Sequence, residues 1–113
     1  MEATRFDLVI PQGSDFEQEF TWMAGDPLAP VDLTGFTVEA QIRYAYGGDL
    51  ILDFSSDITL GDAAGTILID IPAADTENLS WIGSAVWDLV LINGTERDRF
   101  LEGKAFLSLG ATE

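Results

Sequence analysis

The sequence predicts an all-β fold, an antiparallel β-sandwich of about seven to eight strands with one short helical turn. Three observations point there. Apolar and polar residues alternate with period two through most of the chain, turn signals recur at short intervals, and only residues 72–79 have helical character, over barely two turns. The length of 113 residues suits a single domain spanning 1–113. Hydrophobic residues, at 47%, supply a core that a disordered chain lacks.

The elements follow in order. From Ser14 to Met23 the apolar positions Phe16, Phe20 and Trp22 alternate with Asp15, Glu17, Glu19 and Thr21, a half-buried strand with an acidic outer face. GDPLAPVDLTG then breaks the pattern, and Asp32-Leu33-Thr34-Gly35 reads as a tight turn in which Asp32 bonds the backbone two residues on. Phe36 to Tyr44 is the next strand: Phe36, Val38, Ala40, Ile42 and Tyr44 point one way, Thr37, Glu39, Gln41 and Arg43 the other. After the turn Tyr46-Gly47-Gly48-Asp49 come two short strands, Leu50 to Phe54 and Ile58 to Leu60, and the turn Gly61 to Gly65. Thr66 to Ile71 places Ile67, Ile69 and Ile71 on one face. Pro72 then suits the first position of the single helical turn. Ser84 to Ile92 aligns Ala85, Trp87, Leu89 and Leu91. Asn93-Gly94 is the strongest short hairpin signal in the chain. Arg97 to Leu109 returns as a long strand with a bulge expected near Gly103, and Phe100, Leu101, Phe106, Leu107 and Leu109 are its expected core residues.

Composition excludes much chemistry. There is no cysteine, hence no disulfide framework or thiolate metal site, and no histidine, the usual proton shuttle and commonest metal ligand. Five basic residues against 20 acidic ones give a net charge of −15. Repulsion from phosphates argues against nucleic acid and anionic membranes as partners. The start, MEATRFDLVI, lacks the basic and long apolar regions of a signal peptide, and no stretch reaches the length of a membrane span, so synthesis in the cytoplasm is expected.

Each candidate for chemistry has a plainer reading. Asp15 and Glu17 stand about 7 Å apart on one strand face, within reach of a glycosidase pair, but nothing buries either to raise its pKa. Asp49, Asp53, Asp57 and Asp62 could line one rim, yet their spacing matches no calcium loop. Ser55 and Ser84 have no histidine to activate them. Gly47-Gly48 and Gly61 to Gly65 lack the lysine and helix of a phosphate loop. No catalytic residue, cofactor or metal is therefore expected, and the chain reads as a non-enzyme. Trp22 and Trp87 are in phase with core faces. Trp81, in the linker Leu79 to Gly83, has no strand phase: it either caps the end of the core or is a candidate partner contact. Arg97, Arg99 and Lys104 concentrate three of the five bases on the last strand and complete the candidate contacts.

The order of turns carries a resemblance. Gln12-Gly13-Ser14-Asp15-Phe16, Pro30-Val31-Asp32-Leu33-Thr34-Gly35, Gln41-Ile42-Arg43, Ile71-Pro72-Ala73 with Thr76, Trp87-Asp88-Leu89 and Arg99-Phe100-Leu101-Glu102-Gly103 follow one another over essentially the whole chain. This resembles the small β-sandwich proteins and domains of tailed bacteriophages found in long-tail-fibre, baseplate and other virion components, departing from them at Trp87, where tyrosine is expected. The resemblance implies an Ig-like sandwich and a structural virion protein. Its place would be a tail or baseplate component or a tail-fibre adaptor, docking on other virion proteins and oligomerising mainly within the particle. It implies no active site. Alternatives are a head-associated or capsid decoration protein, a carbohydrate-binding sandwich using loop carboxylates and Trp81, and an acidic DNA mimic. The dispersal of the acids over several strands and turns disfavours the mimic. Arg43, a lone cation in an acidic stretch, is expected to pair with a neighbouring carboxylate.

Overall fold

The computed structural model describes residues 3–109. Its spine is the hairpin of β10 (Ser84–Asn93) and β11 (Glu96–Ser108), paired from Ser84↔Phe106 to Asn93↔Glu96. Gly94, at φ 64°, makes the turn that the Asn93-Gly94 pair signals. Alternation puts Ala85, Trp87, Leu89 and Leu91 in the core, each no more than 1% exposed. The ladder slips once: Leu89 faces Leu101 but Val90 faces Arg99, so Phe100 is the extra residue of a β-bulge. That slip lets Phe100 and Leu101, adjacent in sequence, both turn inward. The bulge expected near Gly103 is therefore three residues earlier. Gly103 itself stays in the ladder opposite Trp87, and the space a Cβ would need is taken by the backbone carbonyl of Phe6.

β6 (Thr37–Arg43) pairs antiparallel with β10, and β7 (Leu50–Asp53) with β6. On the other side, β1 (Thr4–Arg5) and β2 (Leu8–Pro11) both run parallel to β11, completing a six-stranded sheet. The expectation of a purely antiparallel fold is corrected here. The first strand segment lies along the sheet edge beside β11 instead of forming a hairpin, and Leu8 and Ile10 go fully into the core. Between them and β1, Phe6 receives the Trp87 indole N–H at 2.7 Å, and Asp7 receives the Lys104 amide at 2.9 Å.

The second sheet has three strands in the order β3 (Phe16–Thr21), β9 (Thr66–Ile71), β8 (Ile58–Leu60). The strand expected over Ser14 to Met23 is broken, with Met23–Ala24 (β4) forming a separate two-residue ladder with Ala29–Pro30 (β5). Ile67, Ile69 and Ile71, fully buried, face the first sheet, and Phe16, Phe20, Ile58 and Leu60 pack beside them on one continuous core. Two sheets, one ordered β11-β10-β6-β7 and the other β3-β9-β8, reproduce the strand order of an immunoglobulin-like sandwich, with the first strand on the larger sheet.

The helical turn is α1 (Ala73–Thr76). It is too short to hold itself and is clasped by the loop before β3. Asp15 accepts the Ala73 amide at 2.8 Å, buried Thr76 donates its hydroxyl to the Ser14 carbonyl at 2.7 Å, and Gln12 donates to the Leu79 carbonyl at 2.8 Å. Asp32 caps its own turn, accepting from the Thr34 amide and hydroxyl, as its sequence position requires.

Some side chains leave their expected places. Tyr44, Phe106 and Leu109 were core expectations, yet Tyr44 and Leu109 are about 60% exposed and Phe106 lies on the outer face. Tyr44 and Leu109 lie just beyond strand ends, where the pleat no longer dictates direction. For Phe106 the bulge is the reason, because it reverses the facing of β11 relative to a count carried through from Phe100. Trp22 is only half-buried, its ring 5.2 Å from that of Phe100.

Candidate functional site

The outer face of the six-stranded sheet gathers the basic side chains of the chain. Register places Lys104, Val86 and Arg43 in one row across β11, β10 and β6, and Arg5, Glu102, Asp88 and Gln41 in the next. Arg99, Val90 and Glu39 follow, then Arg97, Ile92 and Thr37. All five lysines and arginines of the sequence thus stand on one face. Four carboxylates share it by register, Glu39, Asp53, Asp88 and Glu102, and Asp7 joins as a fifth through its 3.7 Å contact with Arg5. The remaining thirteen described carboxylates, which are the 20 of the sequence less these five and Glu2 and Glu113, lie elsewhere with no base among them. The molecule is electrically two-sided.

The central strand of this face is apolar. Val86, Val90 and Ile92 are half-buried beneath the long side chains of the flanking strands. Arg97 crosses β10 to Glu39 at 2.8 Å, and Arg99 lies 3.4 Å from Asp88 and 3.6 Å from Glu102. These half-exposed pairs contribute little stability, about 0–1 kcal/mol each. An apolar centre with a charged, hydrogen-bonding rim is the anatomy of a protein interface.

Arg43 has neutral partners in place of the expected carboxylate. Its guanidinium donates twice to the Gln41 side-chain carbonyl, at 3.1 and 2.8 Å, and once to the Gly48 carbonyl at 2.8 Å. Gln41 in turn donates to Asp53. Beside this network a groove of about 190 Å³ opens, lined by Gln41, Arg43, Tyr46, Asp88 and Arg99 around Val86. Burial pushes the Asp88 carboxyl above its ordinary pKa, opposed by Arg99 and reinforced by Glu102. Burial likewise raises the Tyr46 phenol, with Glu102 and Asp88 adding to the shift.

The other candidates fall to structural duties. Trp81 is corrected as a partner contact: it is 4% exposed, and its indole N–H donates to the Ala105 carbonyl at 3.1 Å. The linker folds its aromatic residue over the open end of the core and leaves neighbouring Ile82 outside, 92% exposed. Ser55 is a clamp between strands. Its hydroxyl receives the Ala40 amide and donates to Asp53, and Asp53 is held below the usual carboxylate range by that hydroxyl and by the Ser55 amide. Asp15 precedes β3 and accepts the Ala73 amide at the start of α1, whereas Glu17 lies on the strand opposite Asp70. Asp49, Asp53, Asp57 and Asp62 do not converge. Among the described residues no three carboxylates gather as a metal site would need.

Arg97, Arg99 and Lys104 are exposed and lie together, as their shared strand requires. Arg5, Arg43 and Asp88 join them from other strands, and Tyr46 from the turn between β6 and β7; these were missed. The alternation of Thr37 to Arg43 marked Arg43 as outward, but nothing local brings it opposite Lys104.

No family model matches the chain, and no curated protein matches it. Among solved structures it is similar to the N-terminal four Ig domains of Dscam1 isoform 7.44, with 10% identity and a TM-score of 0.38 over 96% of this chain. The match takes in 23% of that chain, so this protein spans about a quarter of its length.

Proposed function

We propose that this protein is a non-enzymatic docking module of a tailed-bacteriophage particle, a tail or baseplate component or a tail-fibre adaptor, and that it attaches through the outer face of its six-stranded sheet. The observation that carries the docking reading is the gathering of all five cations on that face. The charged groups elsewhere on the described surface are all carboxylates, so an acidic protein approaching there meets uncompensated repulsion. On this face charges of both signs surround the apolar row Val86, Val90 and Ile92, which suits specific, oriented contact. The virion setting rests on the turn order described from the sequence. The residues of that order fit a structural part: Asp15, Thr76 and Asp32 hold loops, and Gly103 admits the edge strand.

The test is incorporation. Purified particles from infected cells should contain the protein by mass spectrometry. Replacing Arg97, Arg99 and Lys104 together by glutamate should leave a folded protein that no longer co-sediments with particles. Particles without the protein would defeat the virion setting, and normal incorporation of the triple variant would defeat the docking face.

A further inference from the structure

We infer that the groove beneath Tyr46 is a binding site for one neutral sugar ring of a glycan. The inference is independent of the virion reading and starts from what the groove can satisfy. Arg43 has five N–H donors and commits three to Gln41 and Gly48, leaving two for a ligand. Asp88 faces the groove with its Oδ2 3.4 Å from Arg99, longer than the roughly 2.7–2.9 Å of a charge-assisted hydrogen bond, so its carboxylate keeps acceptor capacity. Burial already disfavours its ionised form, and a ligand donor would relieve this. Tyr46 stands at the rim, 59% exposed, on a turn braced from below by the Arg43 bond to Gly48.

This combination selects against charged ligands. An anion meets Asp88 and the nearby Glu102, and a cation meets Arg43 and Arg99. A purely apolar ligand would strand these polar groups for the sake of Val86 and the Tyr46 ring. A polyhydroxyl ring fits, because every hydroxyl both donates and accepts, and its C–H face lies on an aromatic wall. The volume of about 190 Å³ falls below the roughly 300 Å³ at which pockets begin to hold drug-sized ligands, so the site takes one ring, with the rest of the glycan in solvent. The position differs from the sugar site the sequence suggested: Trp81 is buried, and the aromatic wall is Tyr46.

The experiment is a titration of the intact protein with methyl glucoside, methyl galactoside and N-acetylglucosamine, followed by amide ¹H–¹⁵N shifts. At least one sugar should give saturable shifts confined to residues 41–48 and 86–88 and Arg99, with millimolar affinity. Asp88→Asn, which keeps shape and removes charge, and Tyr46→Ala, in an exposed turn, should each weaken binding about tenfold or more, with the remaining amide spectrum unchanged. Acetate and methylguanidinium serve as charged probes. The inference is overturned if no sugar gives a saturable shift, if the shifts map elsewhere, if both variants bind as the parent does, or if a charged probe binds more tightly than every sugar. Neither variant alters Arg97, Arg99 or Lys104, so failure here leaves the docking test standing, and the reverse holds too.

Discussion

Trp81 shows how one hydrogen bond settles the role of a residue. A tryptophan without strand phase has two outcomes, a surface anchor or a cap on the core, and the difference lies in where its N–H finds an acceptor. Here the Ala105 carbonyl on β11 supplies it at 3.1 Å, in a place that only the last strand creates. Trp81→Ala is expected to cost about 3–5 kcal/mol in urea unfolding. Trp81→Phe should cost less, about 1–3 kcal/mol, chiefly by stranding the buried carbonyl. Neither should change particle incorporation beyond the loss of folded protein; a folded Trp81→Phe variant excluded from particles would return this residue to the interface. Gly103 teaches a related lesson. It reads as a cheap place for a bulge, but its missing Cβ makes room for Phe6, and the bulge went to Phe100, where two consecutive apolar side chains needed the same face.

Among elements, β11 has the most dependants. It pairs with β10 along its length and with β1 and β2 on its other edge, and its Leu101 and Ala105 lie at the centre of the core. A chain ending before Arg97 loses all three pairings and exposes both edges of what remains. It should be unfolded by circular dichroism and by amide exchange; a cooperative thermal transition in that truncation would show the hairpin to be peripheral. The strands themselves were legible from alternation, most within a residue or two of their observed ends. The β1–β2 segment was not, because two short pieces broken by Phe6 and Asp7 carry no sustained period. α1 was legible as a turn only. What holds it, the clasp from Gln12, Ser14 and Asp15, joins residues some sixty positions apart.

For the whole molecule, the net charge of −15 sets the response to solvent. Repulsion among the thirteen carboxylates outside the basic face favours expansion, so thermal stability should rise from low to physiological salt. The pH response has two limbs. Asp57 and Asp88 hold their protons more tightly in the folded than in the unfolded state, chiefly through burial, so they cost stability as pH rises through their raised pKa values and return it as pH falls. Asp32 and Asp53, held low by Thr34 and Ser55, contribute stability that is present above their ordinary pKa of 3.8 and lost as pH falls through their depressed values. The melting temperature should therefore climb as pH drops from 7 into the upper carboxylate range, then fall below about pH 3.8. A melting temperature that declines steadily from pH 7 downward would mean that paired carboxylates outweigh repelled ones.

Alternation, turn residues and the Asn93-Gly94 pair were enough to read an all-β sandwich with its main hairpin and most of its core. Period and turn chemistry act between residues one to four apart, and a single sequence displays them directly. The parallel edge strand, the burial of Trp81, the meeting of Arg5, Arg43, Arg97, Arg99 and Lys104 on one face, and the groove under Tyr46 came only with the tertiary structure. Strand order and register decide which outward residues become neighbours, and these are set by the joint packing of both inner faces. The solvent side carries no periodic requirement that would announce the arrangement in advance.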